Sequence, residues 1–206
     1  MNNIYMLSEI IVVNGFAVMT PGPALLLVTH ASIKNSKQSG ILTAIGVSMA
    51  AGFWAILAIF GISILHHNSN LFDKVVKIIG SIYLIWLGIQ SWNQSKININ
   101  FIHDTKNVKY GSFIRGLSIS LLNPKIAIFF STIFVLLIPK SATAGIEMTS
   151  VLIVIIEDIV WYSIVVTLFS NPFVRHRYER MQPVIERCMG IVFIAFGVRV
   201  LALIRR

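Results

Sequence analysis

The chain of 206 residues is too apolar for an ordinary soluble domain. Hydrophobic residues make up 56% of it and charged residues only 12%, whereas about a quarter of the residues in a typical soluble domain are charged. The formal net charge of +9 suits nucleic acid, but the Lys and Arg residues lie mostly in short segments between apolar runs. There they set topology and contact anionic lipid headgroups. The composition therefore predicts a multi-pass membrane protein with lipid contacts and no nucleic-acid partner.

The chain offers little chemistry for an enzyme. Cys188 is the only cysteine, which excludes an intrachain disulfide, a CxxC redox pair and a thiolate cluster. The neighbouring His66 and His67 point about 100° apart on a helix, a poor arrangement for one metal ion. No Ser-His, His-Glu-x-x-His or paired-acid motif is present. We therefore predict no catalytic residues, no cofactor and no metal.

Six apolar stretches are long enough to cross a bilayer core, which takes about 20 residues. They predict an all-α membrane protein with transmembrane helices at roughly 4–31, 40–65, 71–92, 111–138, 148–170 and 184–204. We treat 1–206 as a single transporter domain with two halves, 1–93 and 111–206, joined by a polar linker at 94–110. Lys and Arg are more frequent in the loops after the first, third and fifth spans. The positive-inside rule then places the linker in the cytoplasm and both termini outside it.

The two halves look like copies of one ancestral unit. Matching positions keep their order and nearly the same spacing in the two halves: Thr20-Pro21 with Asn123-Pro124, Trp54 with Trp161, and Lys77-x-x-Gly80 with Arg187-x-x-Gly190. Because each unit has three spans, an odd number, the copies must enter the membrane from opposite sides. The sequence thus predicts a 3+3 inverted-topology repeat, the plan of many secondary transporters.

Polar breaks interrupt the first and fourth spans at Thr20-Pro21-Gly22-Pro23 and at Asn123-Pro124-Lys125. Thr or Asn before proline matches a capping residue followed by the first residue of a helix. Single prolines are also tolerated as kinks in membrane helices. Because the two breaks occupy matching positions, we predict broken helices 1 and 4, whose second halves begin inside the membrane at Pro21 and Pro124.

Two charges lie at membrane depth. At about 1.5 Å per residue, Lys125 lies roughly 15 Å beyond Arg115, near the middle of the core. Asp158 lies at a similar depth in span five. Each costs about 2.5 to 3.5 kcal/mol on insertion scales, so a partner or a role is expected. Lys125 and Asp158 could simply pair with each other, but Glu157 supplies one acid more than a single lysine neutralises.

The functional interpretation assigns these groups complementary tasks. The helix N-termini at Pro21 and Pro124, together with Lys125, suit a carboxylate. Asp158 suits an ammonium group or a proton, and with Glu157 it offers a route to proton coupling. A zwitterionic amino acid would satisfy both ends. Trp161 and Tyr162 share the helical face of Asp158 and either wall the pocket or serve packing.

Taken in order, several motifs resemble the LysE/RhtB family of bacterial amino acid exporters along nearly the whole chain. They are Pro21-Gly22-Pro23, Gly40 to Gly46, Lys77-x-x-Gly80-x-x-Tyr83-Leu84-x-x-Leu87-Gly88, Arg115-Gly116-Leu117, Asn123-Pro124-Lys125, Asp158-x-x-Trp161, and Gly190 to Gly197-x-Arg199. The resemblance implies a six-span carrier of the inner membrane that exports amino acids in exchange for protons. It also implies that these residues occupy the family's motif positions: Pro21, Gly22, Pro23, Asn123, Pro124, Lys125 and Asp158.

Two departures from the family pattern leave the substrate open. Ala24 stands where the family often has Asn, and Pro139-Lys140 stands where it has Pro-Gln. We expect a small neutral amino acid of the homoserine, threonine or leucine type. The alternatives are a basic substrate such as lysine, which the extra acid Glu157 would permit, and a small-solute channel, since polar breaks also line pores. Glycine-rich spans would permit a homodimer.

Overall fold

The structure, a computed structural model, describes residues 3–20, 22–66, 70–93, 109–139, 141–169 and 171–204. Within these ranges all regular secondary structure is helical, which confirms the predicted all-α class. Most of the predicted linker, at 94–108, lies outside the described residues. So does Pro21, one of the predicted site residues.

The described part of the chain forms eight α-helices and one π-helical turn. The helices are α1 Asn3–Met19, α2 Pro23–His30, α3 Lys37–His66, α4 Asn70–Asn93, α5 Lys109–Leu121, α6 Pro124–Leu137, α7 Ala144–Leu168 and α8 Pro172–Ile204. The π-helical turn, Ala31–Asn35, continues directly from α2. Each predicted apolar stretch therefore corresponds to one helix or to a pair of consecutive helices.

Helix α8 is much longer than the predicted sixth span. It begins at Pro172 rather than near 184, so Arg177 and Arg180 lie on a helix and not in a loop. Hydropathy marks only the apolar part of a helix, and a helix can continue into polar sequence beyond it. Pro183 lies within α8 without ending it.

Two described helices are long and apolar enough to cross a membrane, α3 over residues 37–61 and α7. The pairs α1–α2 and α5–α6 also qualify when each bent pair counts as one span, which gives up to four candidate spans among the described residues. Helices α4 and α8 are not among these candidates over their described residues.

Helix α3 lies at the centre of the packing, against α5, α6 and α7, while α4 packs along α8. The larger apolar cluster draws on α1, α3, α4, α6, α7 and α8 and includes Ile10, Leu84 and Phe134. A smaller cluster around Val28 and Val165 joins α1, α2, α3 and α7. The cavity described below is lined by residues of both clusters.

Glycines bring several helix backbones into direct contact. A Cβ atom on Gly116 would lie 2.4 Å from the carbonyl oxygen of Thr43, so α5 and α3 touch without an intervening side chain. In the same way, a Cβ atom on Gly88 would lie 2.7 Å from the carbonyl oxygen of Gly190, where α4 meets α8. Membrane helices use small residues in this manner because lipid provides no hydrophobic drive for association.

We predict that Gly116→Ala destabilises the protein, because its methyl group would force α3 and α5 apart. Overpacking of this kind costs about 1 to 3 kcal/mol. Gly61→Ala is the matched control, since a Cβ atom there has nothing within 4 Å. The free energy of unfolding by sodium dodecyl sulfate in mixed micelles should fall for Gly116→Ala and not for Gly61→Ala. Equal stability of the two variants would contradict the close contact.

Candidate functional site

Two sharp bends interrupt the helices at the positions of the predicted breaks. Helices α1 and α2, with the π-helical turn, meet at 61°, and α5 and α6 meet at 64°. The first bend lies between Met19 and Pro23, and the second between Leu121 and Pro124. Backbone groups at such a bend lose their partners within the helix, so they need protein or water nearby.

The second break has the predicted capping geometry. Asn123 is extended, with φ −83° and ψ 107°, and its side-chain oxygen accepts a hydrogen bond from the backbone N–H of Lys125 at 3.0 Å. Pro124 is the first helical residue, where its missing N–H has no consequence. The prediction that Asn123 caps a half-helix beginning at Pro124 is confirmed.

The first break differs from the prediction. Its second helix begins at Pro23, not Pro21, and the capping residue is Gly22 rather than Thr20. The hydroxyl of Thr20 donates instead to the carbonyl of Phe16 in the preceding turn, at 3.3 Å. Proline fixes φ near the helical value, so either proline suits the first helical position. The sequence alone therefore did not distinguish them, and the helix that begins at Pro23 has Gly22, not Thr20, at the capping position.

A cavity of about 100 Å³ lies beside both breaks. This is enough room for several water molecules or a small ligand. Seven of the predicted site residues contribute to its lining: Thr20, Gly22, Pro23, Asn123, Lys125, Asp158 and Tyr162. Apolar and aromatic side chains complete the wall, among them Leu87, Phe129, Phe130 and Phe193. Residues from α1, α2, α3, α4, α6, α7 and α8 thus converge on one space.

Three of the predicted site residues that the structure describes do not line the cavity. Pro124 lies at the start of α6, and Trp161 packs against the smaller apolar cluster. Its indole N–H is buried without a hydrogen-bond partner among the described residues. Glu157 is half-buried and accepts a hydrogen bond from Asn14, which does line the cavity. Tyr162, by contrast, is buried and faces the cavity.

The acidic side of the cavity depends on Asn14, which the sequence analysis missed. Its side-chain amide donates to Asp158 Oδ1 at 3.2 Å and to Glu157 Oε2 at 3.1 Å. Asn14 is 2% exposed and Asp158 5% exposed, so the amide holds two neighbouring carboxyl groups inside the protein. The sequence did contain a signal for Asn14, because its side-chain amide lies in the part of the first span that has no charged residue.

Lys125 is the basic residue among those that line the cavity, and Glu186 lies on α8 outside the lining. The sequence analysis considered pairing between Lys125 and Asp158, but no ion pair joins these two described residues. Glu186 is 1% exposed and accepts a hydrogen bond from Gln182 at 3.0 Å. Sequence reasoning missed Glu186 because Arg180 and Arg187 nearby suggested a membrane interface.

Contacts from α8 secure the first break. The hydroxyl of Tyr178 donates to the carbonyl of Met19, the last residue of α1, at 2.9 Å. Its ring also packs against Phe169, with 4.9 Å between centroids. Further along α8, Arg199 forms an exposed ion pair with Glu9 of α1. Helix α8 therefore contacts α1 at two places, at Glu9 in its first half and at Met19 beside the break.

The arrangement suits a small molecule with one positive and one negative end. Lys125 and the N-terminus of α6 favour an anionic group, whereas Asp158 favours a cationic one. Over the residues that the structure describes, no group of three or more His, Cys, Asp or Glu side chains could hold a metal ion. The charged and apolar side chains that line the cavity are suited to recognising a ligand by its charge and shape.

A helical membrane protein with two broken helices around a charged cavity has the architecture of a solute translocator. The family model described as LysE type translocator matches residues 15–203. The chain belongs to this family.

Curated relatives match over nearly their full lengths. The threonine efflux protein of Escherichia coli (strain K12) is 24% identical over 189 residues, which cover 90% of this chain and 92% of that protein. The leucine efflux protein of Enterobacter sp. (strain 638) is 28% identical over 193 residues, 91% of each chain. An uncharacterized membrane protein of Haemophilus influenzae is 24% identical over 199 residues, 93% of this chain and 94% of its own. No solved structure matches the chain.

We predict that Asn14→Leu destabilises the protein by about 1 to 3 kcal/mol, because two carboxyl groups lose a buried donor at once. Thr149→Val is a suitable control, since the exposed hydroxyl of Thr149 bonds only within its own helix. Unfolding in mixed micelles again supplies the measurement. If the Asn14→Leu variant proved as stable as the control, Asn14 would not hold the acidic pair together.

Proposed function

We propose that this translocator is a secondary transporter of the bacterial inner membrane, which exports small neutral amino acids from the cytoplasm in exchange for protons. The observation that carries the proposal is the cavity beside the two helix breaks, whose lining includes both Lys125 and Asp158. The names of the threonine and leucine efflux proteins support amino acids as the substrate class.

We propose six spans, arranged as a 3+3 inverted repeat. In this arrangement α1–α2, α3 and α4 form one unit, and α5–α6, α7 and α8 form the other. The nearly equal bends of 61° and 64° support equivalence of the two broken helices. Most contacts between the units have counterparts: α3 with α5 matches α7 with α1, and α3 with α6 matches α7 with α2. The contacts of α3 with α7 and of α4 with α8 are self-matching, as a two-fold axis requires.

The proposed binding mode places the substrate carboxylate at the start of α6. Backbone N–H groups and the helix dipole there favour an anion, and Lys125 adds a full positive charge. Thr20, Gly22 and Pro23 at the first bend line the same space, and Pro124 fixes the start of α6. Pro21 lies outside the described residues and stays a predicted part of this site. The ammonium group of the substrate would bind Asp158, and Tyr162 would wall the pocket. Trp161, which packs against the apolar cluster that includes Tyr162, would support this wall.

The lining favours a neutral substrate side chain over a basic one. Asp158 is the one acidic residue among the described lining residues, and it is needed for the ammonium group. Glu157 contacts Asn14 without lining the cavity, so no second acid is available for a lysine-like side chain. The remaining wall includes Phe129, Phe130 and Phe193, which suit an aliphatic group.

Exchange with protons follows from competition at the acidic pair. An ammonium group and a proton cannot occupy the same carboxylate of Asp158 together, so release of one permits binding of the other. Glu157 shares the donor Asn14 with Asp158 and would serve as the neighbouring proton acceptor. Mutually exclusive binding at one site gives obligatory exchange when the carrier reorients only with the substrate or a proton bound.

We predict that Lys125→Met and Asp158→Asn each lower amino acid export by about thirtyfold or more, because each leaves one charged end of the substrate unpaired. Lys74→Met and Glu147→Gln are matched controls, since both residues lie outside the cavity lining. Efflux from cells should be compared at equal amounts of inserted protein. Normal export by both site variants would contradict the assigned binding mode.

A second prediction concerns the substrate and the driving force. Proteoliposomes loaded with threonine or leucine should take up the same labelled amino acid by saturable counterflow, whereas lysine should not be exchanged. A channel would give no such counterflow. An imposed pH gradient should accelerate net movement of the neutral substrate, and its collapse by an ionophore should slow it. Equal exchange of lysine would contradict the neutral assignment, and indifference to the gradient would contradict proton coupling.

A further inference from the structure

Two polar atoms in the wall of the cavity have no hydrogen-bond partner among the described residues. Asp158 accepts a bond from Asn14 at Oδ1, at 3.2 Å, which leaves its second oxygen, Oδ2, without a donor. The hydroxyl of Tyr162 likewise forms no hydrogen bond with any residue that the structure describes. Asp158 and Tyr162 are each 5% exposed, and both line the cavity.

Both of these atoms open onto the cavity. The polar side-chain atoms that are fully enclosed and lack a partner in the described part of the chain are Thr29 Oγ1, Trp54 Nε1, Ser120 Oγ, Trp161 Nε1 and Glu186 Oε2. Asp158 Oδ2 and the hydroxyl of Tyr162 do not belong to this group, so each keeps some accessible surface. Because the two residues are otherwise buried and line the cavity, that surface faces the cavity.

The two groups lie one helical turn apart on α7. Residues four apart on a helix share a face, with about 5 to 6 Å between their Cβ atoms. In an amino acid with a hydroxyl group on its side chain, the nitrogen and that oxygen are only a few bonds apart. Its ammonium group can therefore bind Asp158 Oδ2 while its hydroxyl forms a hydrogen bond with the hydroxyl of Tyr162.

The ring of Tyr162 is held in place by apolar packing. It belongs to the smaller apolar cluster together with Val18, Leu25 and Val47, which also line the cavity. A hydroxyl group on a packed ring is already positioned, so little conformational freedom is lost when a ligand binds it. The apolar neighbours suit a methyl group, and threonine combines a methyl group with a hydroxyl.

The other hydroxyl group in the described lining is already engaged. Thr20 donates its hydroxyl to the carbonyl of Phe16 at 3.3 Å. The side-chain oxygen of Asn123 accepts from the N–H of Lys125, so it is also occupied. Among the described lining residues, Tyr162 therefore has the one hydroxyl that is free to bind a substrate.

An aliphatic substrate of the same shape meets a penalty at this position. Valine has a methyl group where threonine has its hydroxyl, so it would cover the hydroxyl of Tyr162 without offering it a bond. A buried polar group left unpaired in this way weakens binding by roughly 5- to 150-fold. A site that bonds a substrate hydroxyl thus rejects the analogue that lacks it.

We propose that Tyr162 is a specificity-determining residue, whose hydroxyl binds the side-chain hydroxyl of the substrate and favours threonine over aliphatic amino acids of the same shape. This inference rests on the proposed function and narrows its substrate class. Tyr162 becomes more than a wall of the pocket, because it distinguishes substrates by one polar group.

The test compares two substrates in two proteins. Counterflow into proteoliposomes gives the half-saturating concentrations of threonine and valine. For the wild-type protein, we expect the value for valine to be at least about tenfold higher. In Tyr162→Phe, the ratio of the two values should fall to within about twofold of one, because the group that distinguishes the substrates is gone. A purely structural role for Tyr162 would shift both values together and leave their ratio unchanged.

Tyr5→Phe is the matched control, because it removes the same hydroxyl from a residue that is 66% exposed on α1. It should keep the wild-type ratio. Serine and alanine form a second pair that differs by a hydroxyl, and the wild-type protein should favour serine. These wild-type comparisons decide the question if Tyr162→Phe is not recovered in the membrane. Equal values within both pairs would then overturn the proposal, and preference for the hydroxylated member of both would support it.

The outcomes separate this inference from the proposed function. If the wild-type protein exchanges none of these amino acids and no leucine, the proposed function fails, and the inference fails with it. If it exchanges threonine and valine with equal half-saturating concentrations, the proposed function stands and the role of Tyr162 is wrong. That role is also wrong if Tyr162→Phe keeps the wild-type ratio, because another group then recognises the hydroxyl. A lower ratio in Tyr162→Phe, but not in Tyr5→Phe, supports it.

Discussion

The structure depends on one constraint, which is that hydrocarbon offers no hydrogen-bond partner to a backbone group released from a helix. At each break, a side chain forms a hydrogen bond with a backbone group that the helix has released. Asn123 caps the start of α6 through the N–H of Lys125, and the carbonyl of Met19 at the end of α1 accepts a bond from Tyr178. Other residues at the two breaks, among them Gly22 and Lys125, line a small cavity. The position of the cavity in the protein thus follows from where the helices stop.

The same constraint governs the charges. Asp158 and Glu157 share the amide of Asn14. Lys125 lines the same cavity as Asp158, and no direct ion pair joins these two described residues. In the proposed binding mode, a ligand with both charges connects them.

Much of this architecture can be read from the sequence, but not all of it. Proline after a capping residue predicts a helix start because both effects are local, and the start of α6 at Pro124 agrees. At Pro21 and Pro23 the local preference of proline is the same, so it could not indicate that the helix begins at Pro23. Asn14 escaped notice because its importance lies in partners on another helix. Hydropathy likewise could not indicate that α8 continues to Pro172, since that part is polar. Contacts that are distant in sequence leave no periodic pattern.

The meeting of α4 and α8 at Gly88 and Gly190 has a mechanical consequence. Each glycine presents bare backbone to the other helix, and the side chain of Ile194 fills the space at Gly88. Gly197 of α8 makes a second close approach, to the carbonyl oxygen of Ser81 and the side chain of Ile85 on α4. Two helices in close contact at separate points along their length resist both sliding and a change of crossing angle, so α4 and α8 are held together as one unit.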